Sequence, residues 1–297
     1  LAELLWTFFF VLFGTLTVVH TWARQRKCSR LARPMANLST TRTALVTGAS
    51  AGIGRQLALL FAADGYDLVL VARRRERLEQ LAEQLGNQFR VRVELIVADL
   101  RDPQTPTHIA DELGRRGLSI DVLVNNAGFG KLGAFAELDV SVQLDMITVN
   151  VQALVHLTHL LLPSLLAQHH GHILNIGSVA GFVPGPHMAV YYATKAFVNS
   201  FSEALSRELR GSGVSVTVCC PGPTESEFGA IAGTNARAIR SRAMPAATVA
   251  RSAYRAMNRL RVVNIPGASK LLVLLLRFMP RALIRSIACR LNRLAKS

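Results

Sequence analysis

Tyr191 and Lys195 stand four residues apart in a stretch that reads as helix, so a phenol and an ammonium share one helical face. A free phenol titrates near about 10, too high for ready proton exchange at neutral pH, and a neighbouring cation favours its phenolate form. The pair therefore points to acid/base work on the oxygen of a carbonyl or an alcohol. Ser178 supplies a hydroxyl able to hold such a carbonyl for attack. Tyr192 is the competing phenol, but no lysine stands four residues after it.

A second constellation offers a place for a dinucleotide. The turn Thr47-Gly48-Ala49-Ser50-Ala51-Gly52-Ile53-Gly54 follows the apolar run Ala44-Leu45-Val46 and opens into Leu57-Ala58-Leu59-Leu60-Phe61-Ala62. Strand, glycine-rich turn and helix form the arrangement in which backbone N–H groups at a helix N-terminus hold phosphates. After the second strand comes Arg73-Arg74-Arg75, where an NAD site places a carboxylate for the ribose 2′-hydroxyl. Guanidinium groups suit a 2′-phosphate instead, which makes NADP(H) the expected cofactor. The competing reading has these arginines merely opening a helix, with Glu76 and Glu79 as partners.

The scaffold that must position these groups is legible in the apolar pattern. Apolar strands near 44–46, 67–72, 92–98, 120–124, 172–176, 215–219 and 262–265 alternate with helical stretches. Most are continuous apolar runs, as parallel strands buried on both faces require. The pattern predicts an α/β fold, a doubly wound Rossmann-type sheet of seven parallel strands in a single domain. Asn150 falls mid-helix in Thr148-Val149-Asn150-Val151, a poor choice for helix stability. His169-His170-x-His172 has no further ligand nearby and reads as a solvated turn, so no metal is expected.

Taken in order, TGASAGIG, Asp99, Asn125-Asn126-Ala127-Gly128, Asn150, Ser178, Tyr191-x-x-x-Lys195 and Pro221-Gly222 carry a family likeness. From about Thr43 to about Gly267 the chain resembles the short-chain dehydrogenase/reductase family, and within it NADP-preferring, membrane-associated carbonyl reductases. The resemblance implies Tyr191 as acid/base, Lys195 as its cationic partner, Ser178 as the substrate-holding hydroxyl, and Asn150 as anchor of a water that relays protons to the lysine. For the cofactor it implies Gly48, Ser50, Gly52, Ile53 and Gly54 at the phosphates, and Arg73, first after the second strand, at the 2′-phosphate. It also implies Asp99 at the adenine, Asn125 beside the cofactor and supporting the sheet, Tyr191 and Lys195 at the nicotinamide ribose, and Pro221, Gly222 and Thr224 after the sixth strand.

Charge is unevenly placed. The net charge is +15, yet no acidic residue follows Glu227 while fourteen basic ones do, which leaves +1 for everything earlier. A basic C-terminal quarter suits anionic lipid headgroups or an anionic carrier. No aromatic platform or DNA-binding motif accompanies it, so nucleic acid is not the expected partner. Residues 4–23 contain no charged side chain and are followed by Arg24, Arg26, Lys27, Arg30 and Arg33. Such a span matches a bilayer core of about 30 Å, and its basic flank would keep the following domain on the cytoplasmic face. A chain starting near Met35 would instead be a soluble cytoplasmic protein. After Pro280, Leu283, Ile284, Ile287, Leu291 and Leu294 recur at helical spacing, with Arg281, Arg285, Arg293 and Lys296 mostly opposite. This predicts an amphipathic helix that lies in a membrane interface, covers the substrate pocket or meets another subunit. The four cysteines show no metal or redox spacing and read as reduced thiols.

The expected organisation is thus a membrane anchor over 1–34, a catalytic domain over 35–267 and a basic amphipathic segment over 268–297. The expected activity is hydride exchange between NADP(H) and an apolar, lipid-like carbonyl or secondary alcohol, such as a 3-oxoacyl chain, a sphingoid ketone or a steroid. The anchor, the apolar basic tail and the apolar stretch Phe182-Val183-Pro184-Gly185-Pro186, between Ser178 and Tyr191, suggest that substrate, and similar membrane-linked relatives reduce ketones of these kinds. Expected partners are that small molecule, an anionic membrane surface and, as an option, a second copy of the chain. A non-catalytic dinucleotide sensor on the same fold, or an enzyme working in the alcohol-oxidising direction, are the alternatives.

Overall fold

A computed structural model of the chain describes residues 42–234, 243–276 and 278–294. The expected anchor over 1–34 lies outside them. The apolar runs become β1 (Thr43–Thr47), β2 (Asp67–Ala72), β3 (Val93–Val97), β4 (Val122–Asn125), β5 (Gly171–Ile176) and β6 (Val214–Cys219). Two short strands, β7 (Thr224–Glu225) and β8 (Met244–Pro245), pair with each other, and β9 (Val263–Asn264) closes the main sheet. That sheet has seven strands in the order β3-β2-β1-β4-β5-β6-β9, and every pairing is parallel. The expected strands lie within two residues of the observed ones.

Both faces of the sheet are covered, which is why its strands need no polar alternation. The helices in question are α1 (Gly52–Ala63), α2 (Arg75–Phe89), α3 (Thr105–Arg115), α4 (Val140–Ile147), α5 (Ala153–Ala167), α6 (Ala189–Glu208), α7 (Phe228–Ala232) and α8 (Ala246–Asn258). Leu57 and Phe61 of α1, Leu78 and Leu85 of α2 and Met257 of α8 pack with Ala44 and Val46 on one face. Ile109 of α3, Leu157 and Leu165 of α5 and Leu205 of α6 pack with Leu45 on the other. Neighbouring β1 residues thus enter opposite cores, as the period of two demands.

Two details of the helices place the site. In α6 the buried positions Tyr191, Thr194, Lys195, Val198, Asn199, Ser202 and Leu205 follow helical spacing, so the phenol and the ammonium both face inward. Between α4 and α5 the chain does not stay α-helical: Thr148–Gln152 forms a π-helical turn, and Asn150 sits in its middle. Insertion of a wider turn re-aims one side chain without ending the helix. The continuous stretch Val140–Ala167 has the length and composition to cross a bilayer, but Leu154, Leu157, Leu161 and Leu165 are buried in the core of this domain.

The C-terminal segment forms α9 (Ser269–Leu276) and α10 (Arg281–Leu294). The helix expected after Pro280 is therefore present. Ile284, Ala288 and Asn292, one turn apart, are its buried stripe. Asn292 donates through Nδ2 to the Pro186 carbonyl at 2.7 Å, and the Tyr192 hydroxyl donates to Asn292 Oδ1 at 3.4 Å. One side of α10 is thus seated on the loop between Ser178 and Tyr191.

Candidate active site

The proposed groups converge at the carboxyl ends of β1, β4, β5 and β6. Strand order reverses between β1 and β4, and a crevice at such a reversal is where open parallel sheets bind ligands. The glycine turn leaves β1 with Gly48 at φ 65°, a left-handed conformation. A Cβ at position 54 would stand 2.5 Å from the Gly48 carbonyl oxygen, so only glycine lets the start of α1 close on the turn. Asn126 locks this turn: its Nδ2 donates to the Thr47 carbonyl at 2.8 Å and the Gly48 carbonyl at 3.2 Å. Thr47 Oγ1 in return accepts from the N–H groups of Asn126 and Ala127. A groove of about 700 Å³ runs along the outer edge of the turn, lined by Ser50, Gly52, Arg55, Arg77, Ser226 and Glu227 among others.

The three arginines after β2 part company. Arg74 Nη2 donates to Ser50 Oγ at 3.0 Å, which ties it directly to the glycine turn. Its Nη1 lies 2.8 Å from a Glu227 carboxylate oxygen, and Arg77 pairs with the same carboxylate. Arg73 turns the other way, with Nη1 3.7 Å from Asp99, and Arg75 pairs with Glu79 along α2. Glu79 is therefore the partner of Arg75, and of the three only Arg74 reaches the glycine turn. Burial would raise the Asp99 carboxyl, but hydrogen bonds from Arg101 and the charges of Arg101 and Arg73 hold it below the usual range. Hydrogen bonding from Arg77 outweighs burial at Glu227, and with Arg74 it lowers that carboxyl as well.

Asn125 and Asn126 divide two jobs. Register sets Asn125 of β4 beside Asn175 of β5, and Asn125 Nδ2 donates to Asn175 Oδ1 at 2.9 Å and Thr158 Oγ1 at 3.0 Å. Asn175 passes the chain on to Ser202 Oγ at 2.9 Å. This buried polar line ties two strands to α5 and α6, so the Asn125 side chain serves the sheet while Asn126 serves the turn.

Around the phenol the arrangement is tight. Asn150 Nδ2 donates to the Phe129 carbonyl at 2.9 Å and to Thr194 Oγ1 at 3.0 Å, and its Oδ1 accepts from Phe129 N–H at 3.0 Å. A Cβ on Gly128 would stand 2.9 Å from Asn150 Oδ1 and 3.4 Å from Lys195 Nζ, so these three residues adjoin. Lys195 Nζ donates to the Ile176 carbonyl at 2.8 Å. Burial lowers its pKa to about 8, opposed weakly by Cys220. Burial also pushes the Tyr191 phenol well above its ordinary value, while a hydrogen bond with the Ser178 hydroxyl pulls it the other way. The lowering expected from Lys195 is not what governs here: burial does, and the desolvated phenol favours its neutral form.

Ser178 caps a 3₁₀ turn, Val179–Phe182, by accepting from the Ala180 N–H at 3.1 Å, and its hydroxyl lies 3.4 Å from the Pro221 carbonyl. Thr224 Oγ1 donates to the Gly222 carbonyl at 3.0 Å, fixing the turn after β6. Apolar side chains wall the far side: Leu132, Met146, Met188 and Ala232 cluster with Tyr191, and the Phe228 ring lies 5.1 Å from the Tyr191 ring. Tyr192 lies over Gly185 and reaches Asn292, so it belongs to the roof.

The sequence model described as short chain dehydrogenase matches residues 42–236. The chain belongs to the short-chain dehydrogenase family. Among relatives of this short-chain dehydrogenase, sulfoacetaldehyde reductase 2 of Chromohalobacter salexigens is 44% identical over 186 residues, covering 62% of this chain and 73% of that protein. A short-chain dehydrogenase from Sphingobium yanoikuyae, solved in complex with NADPH, is 36% identical with a TM-score of 0.72 over 78% of this chain and 91% of its own. The bulky-bulky ketone specific alcohol dehydrogenase from Comamonas testosteroni is 32% identical, with a TM-score of 0.69 over 81% and 96%.

Asn126, Arg74 and Glu227 escaped the sequence reading as site residues. For Asn126 the signal was the asparagine doublet itself, since adjacent strand-end residues face opposite ways. Arg74 sat in the quoted triplet, but only side-chain direction separates it from Arg73. Glu227 carried no signal, because its partners lie 150 and 153 residues earlier.

Proposed function

We propose that this short-chain dehydrogenase reduces an apolar, lipid-like carbonyl compound, with Tyr191 as proton donor. The observation that carries the reading is that Tyr191 and Lys195, both buried on the inner face of α6, meet buried Ser178 at the end of β5 beside an apolar wall. The cofactor is NADP(H). The residues fit it: the turn leaves no room for a Cβ at Gly54, and the guanidinium groups of Arg73 and Arg74 stand at the end of β2, each held by a carboxylate that a 2′-phosphate would replace. When bound, the reduced form supplies the hydride.

The chain's own residues supply the rest. Ser178 Oγ and Tyr191 Oη form a pair of hydroxyls to which a substrate oxygen can hydrogen-bond, which fixes its carbon for attack. Burial keeps the Tyr191 phenol protonated at neutral pH, so it is poised to give a proton to an oxygen that gains negative charge. Lys195, with a pKa of about 8, stays largely cationic at neutral pH and stabilises the phenolate left behind. Asn150 holds Phe129 and Thr194, and Thr194 Oγ1 donates to the Tyr191 carbonyl at 2.7 Å, so the π turn positions the helix that carries the phenol.

The apolar substrate class rests on Leu132, Met146, Met188 and Phe228 around Tyr191. A panel of ketones graded by chain length and charge, assayed with NADPH and NADH, tests it. Rising kcat/KM with apolar size is expected. A preference for short anionic aldehydes, the class named by the Chromohalobacter relative, would overturn the substrate claim while leaving the chemistry standing.

A further inference from the structure

Only half of the apolar arc of α10 is used. Ile284, Ala288 and Asn292 are buried against the domain, whereas the adjacent row Leu283, Ile287 and Leu291, also one turn apart, is open, with Leu291 58% exposed. A helix that needed only to cover the site would carry polar residues in that second row. Helix α9 repeats the pattern: Val273 is buried while Leu271, Leu272, Leu274 and Leu275 are exposed, and Phe278, between the helices, is 82% exposed. Of the sixteen large apolar side chains standing exposed among the described residues, eight lie between 271 and 291.

We infer that the outer faces of α9 and α10 dock on an anionic lipid surface. Charge selects this occupant. The stretch holding the exposed leucines contains Lys270, Arg277, Arg281, Arg285, Arg290 and Arg293 and no acidic side chain, and none follows Glu227 in the sequence. A second copy seated on the same face would set these cations against its own, with nothing to neutralise either. An apolar row with Arg290 at its edge, on a helix whose remaining exposed face is cationic, by contrast matches acyl chains below it and an anionic headgroup layer around it. The inner side of the same helix holds the substrate loop, through Asn292 to Pro186 and through Arg293 Nε to His187 Nε2 at 3.2 Å. The element that meets the lipid is therefore the one that roofs the site. The inference does not depend on which carbonyl the enzyme reduces.

The test uses the full chain with an environment-sensitive fluorophore on one cysteine. Ile287→Cys is labelled in a chain that also carries Cys28→Ser and Cys289→Ser, since Cys219 and Cys220 are buried. Ala282→Cys, exposed and on the arginine side of the helix, is the control. Vesicles of phosphatidylcholine alone are compared with vesicles that also contain phosphatidylglycerol, at low and high salt. The expected result is a several-fold rise in emission at position 287 on anionic vesicles only. It should be reversed by salt, absent at 282, and lost when Arg285 and Arg290 become Gln. The readout reports the helix itself, whatever residues 1–34 do. No change on any vesicle, an equal change on neutral vesicles, or a change that follows protein concentration without lipid would each overturn the inference, the last in favour of self-association.

Discussion

Arg74→Ala should weaken NADPH binding by about tenfold and leave NADH within about twofold. The magnitude follows from the site. A hydrogen bond to a charged group contributes about 1.5–3 kcal/mol, and the Arg74 side chain is 41% exposed, which places it near the lower end. Binding must also displace Glu227 from Arg74, and an exposed pair of this kind is worth about 0–1 kcal/mol. The difference, about 1–2 kcal/mol, is roughly one decade in affinity. Glu227→Gln should move the other way, because it removes the carboxylate that competes with the 2′-phosphate; a tightening of NADPH by up to about fivefold is expected, with NADH unchanged. Arg73→Ala should weaken NADPH less than Arg74→Ala, since Arg73 is 58% exposed and faces Asp99 rather than the glycine turn. Titration of each variant with both cofactors, followed by nicotinamide fluorescence, gives the constants directly. Equal losses for NADPH and NADH in Arg74→Ala, or weaker NADPH binding in Glu227→Gln, would refute the assignment.

Three further outcomes are expected. Tyr191→Phe should abolish turnover while NADPH still binds, and retention of more than a few per cent of activity would transfer the role elsewhere, Tyr192 first. Lys195→Met should remove turnover and yet stabilise the cofactor-free chain. Folded Lys195 titrates at about 8 against an ordinary 10.5, so the unfolded chain binds more protons between those values and native stability rises with pH across that window. Below it the buried ammonium costs about 3 kcal/mol, and losing its bond to Ile176 removes about 1 kcal/mol of the gain. The methionine variant should then be about 2 kcal/mol more stable at pH 7, with the advantage shrinking toward pH 10; denaturant titrations showing lower stability, or no pH dependence of the difference, would refute this. Asn150→Ala should lose about 2–4 kcal/mol, because both polar groups of Phe129 lose their Asn150 partner; a variant within about 0.5 kcal/mol of the parent in thermal unfolding would show the π turn to be idle.

Residue order and type alone specify the sheet and the list of groups that do chemistry. Continuous apolar strands can be buried only between two helical layers, so their number and parallel pairing were legible before any contact was known. The glycine turn was equally plain, because Gly48 and Gly54 answer to local backbone geometry. Tyr191 and Lys195 share a face because four residues make about one helical turn. Packing in three dimensions sets the directions and partners of side chains that are near neighbours in sequence. Arg73 faces Asp99 and Arg74 faces Ser50; Asn125 enters the sheet and Asn126 the turn. Helical periodicity marked one apolar arc on α10, but it could not say that the domain covers one row and leaves the next open. The state of the Tyr191 phenol was decided in the same way. Spacing announces a neighbouring ammonium, whereas burial, which depends on residues as distant as Phe228 and Ser178, sets the free energy of the charge.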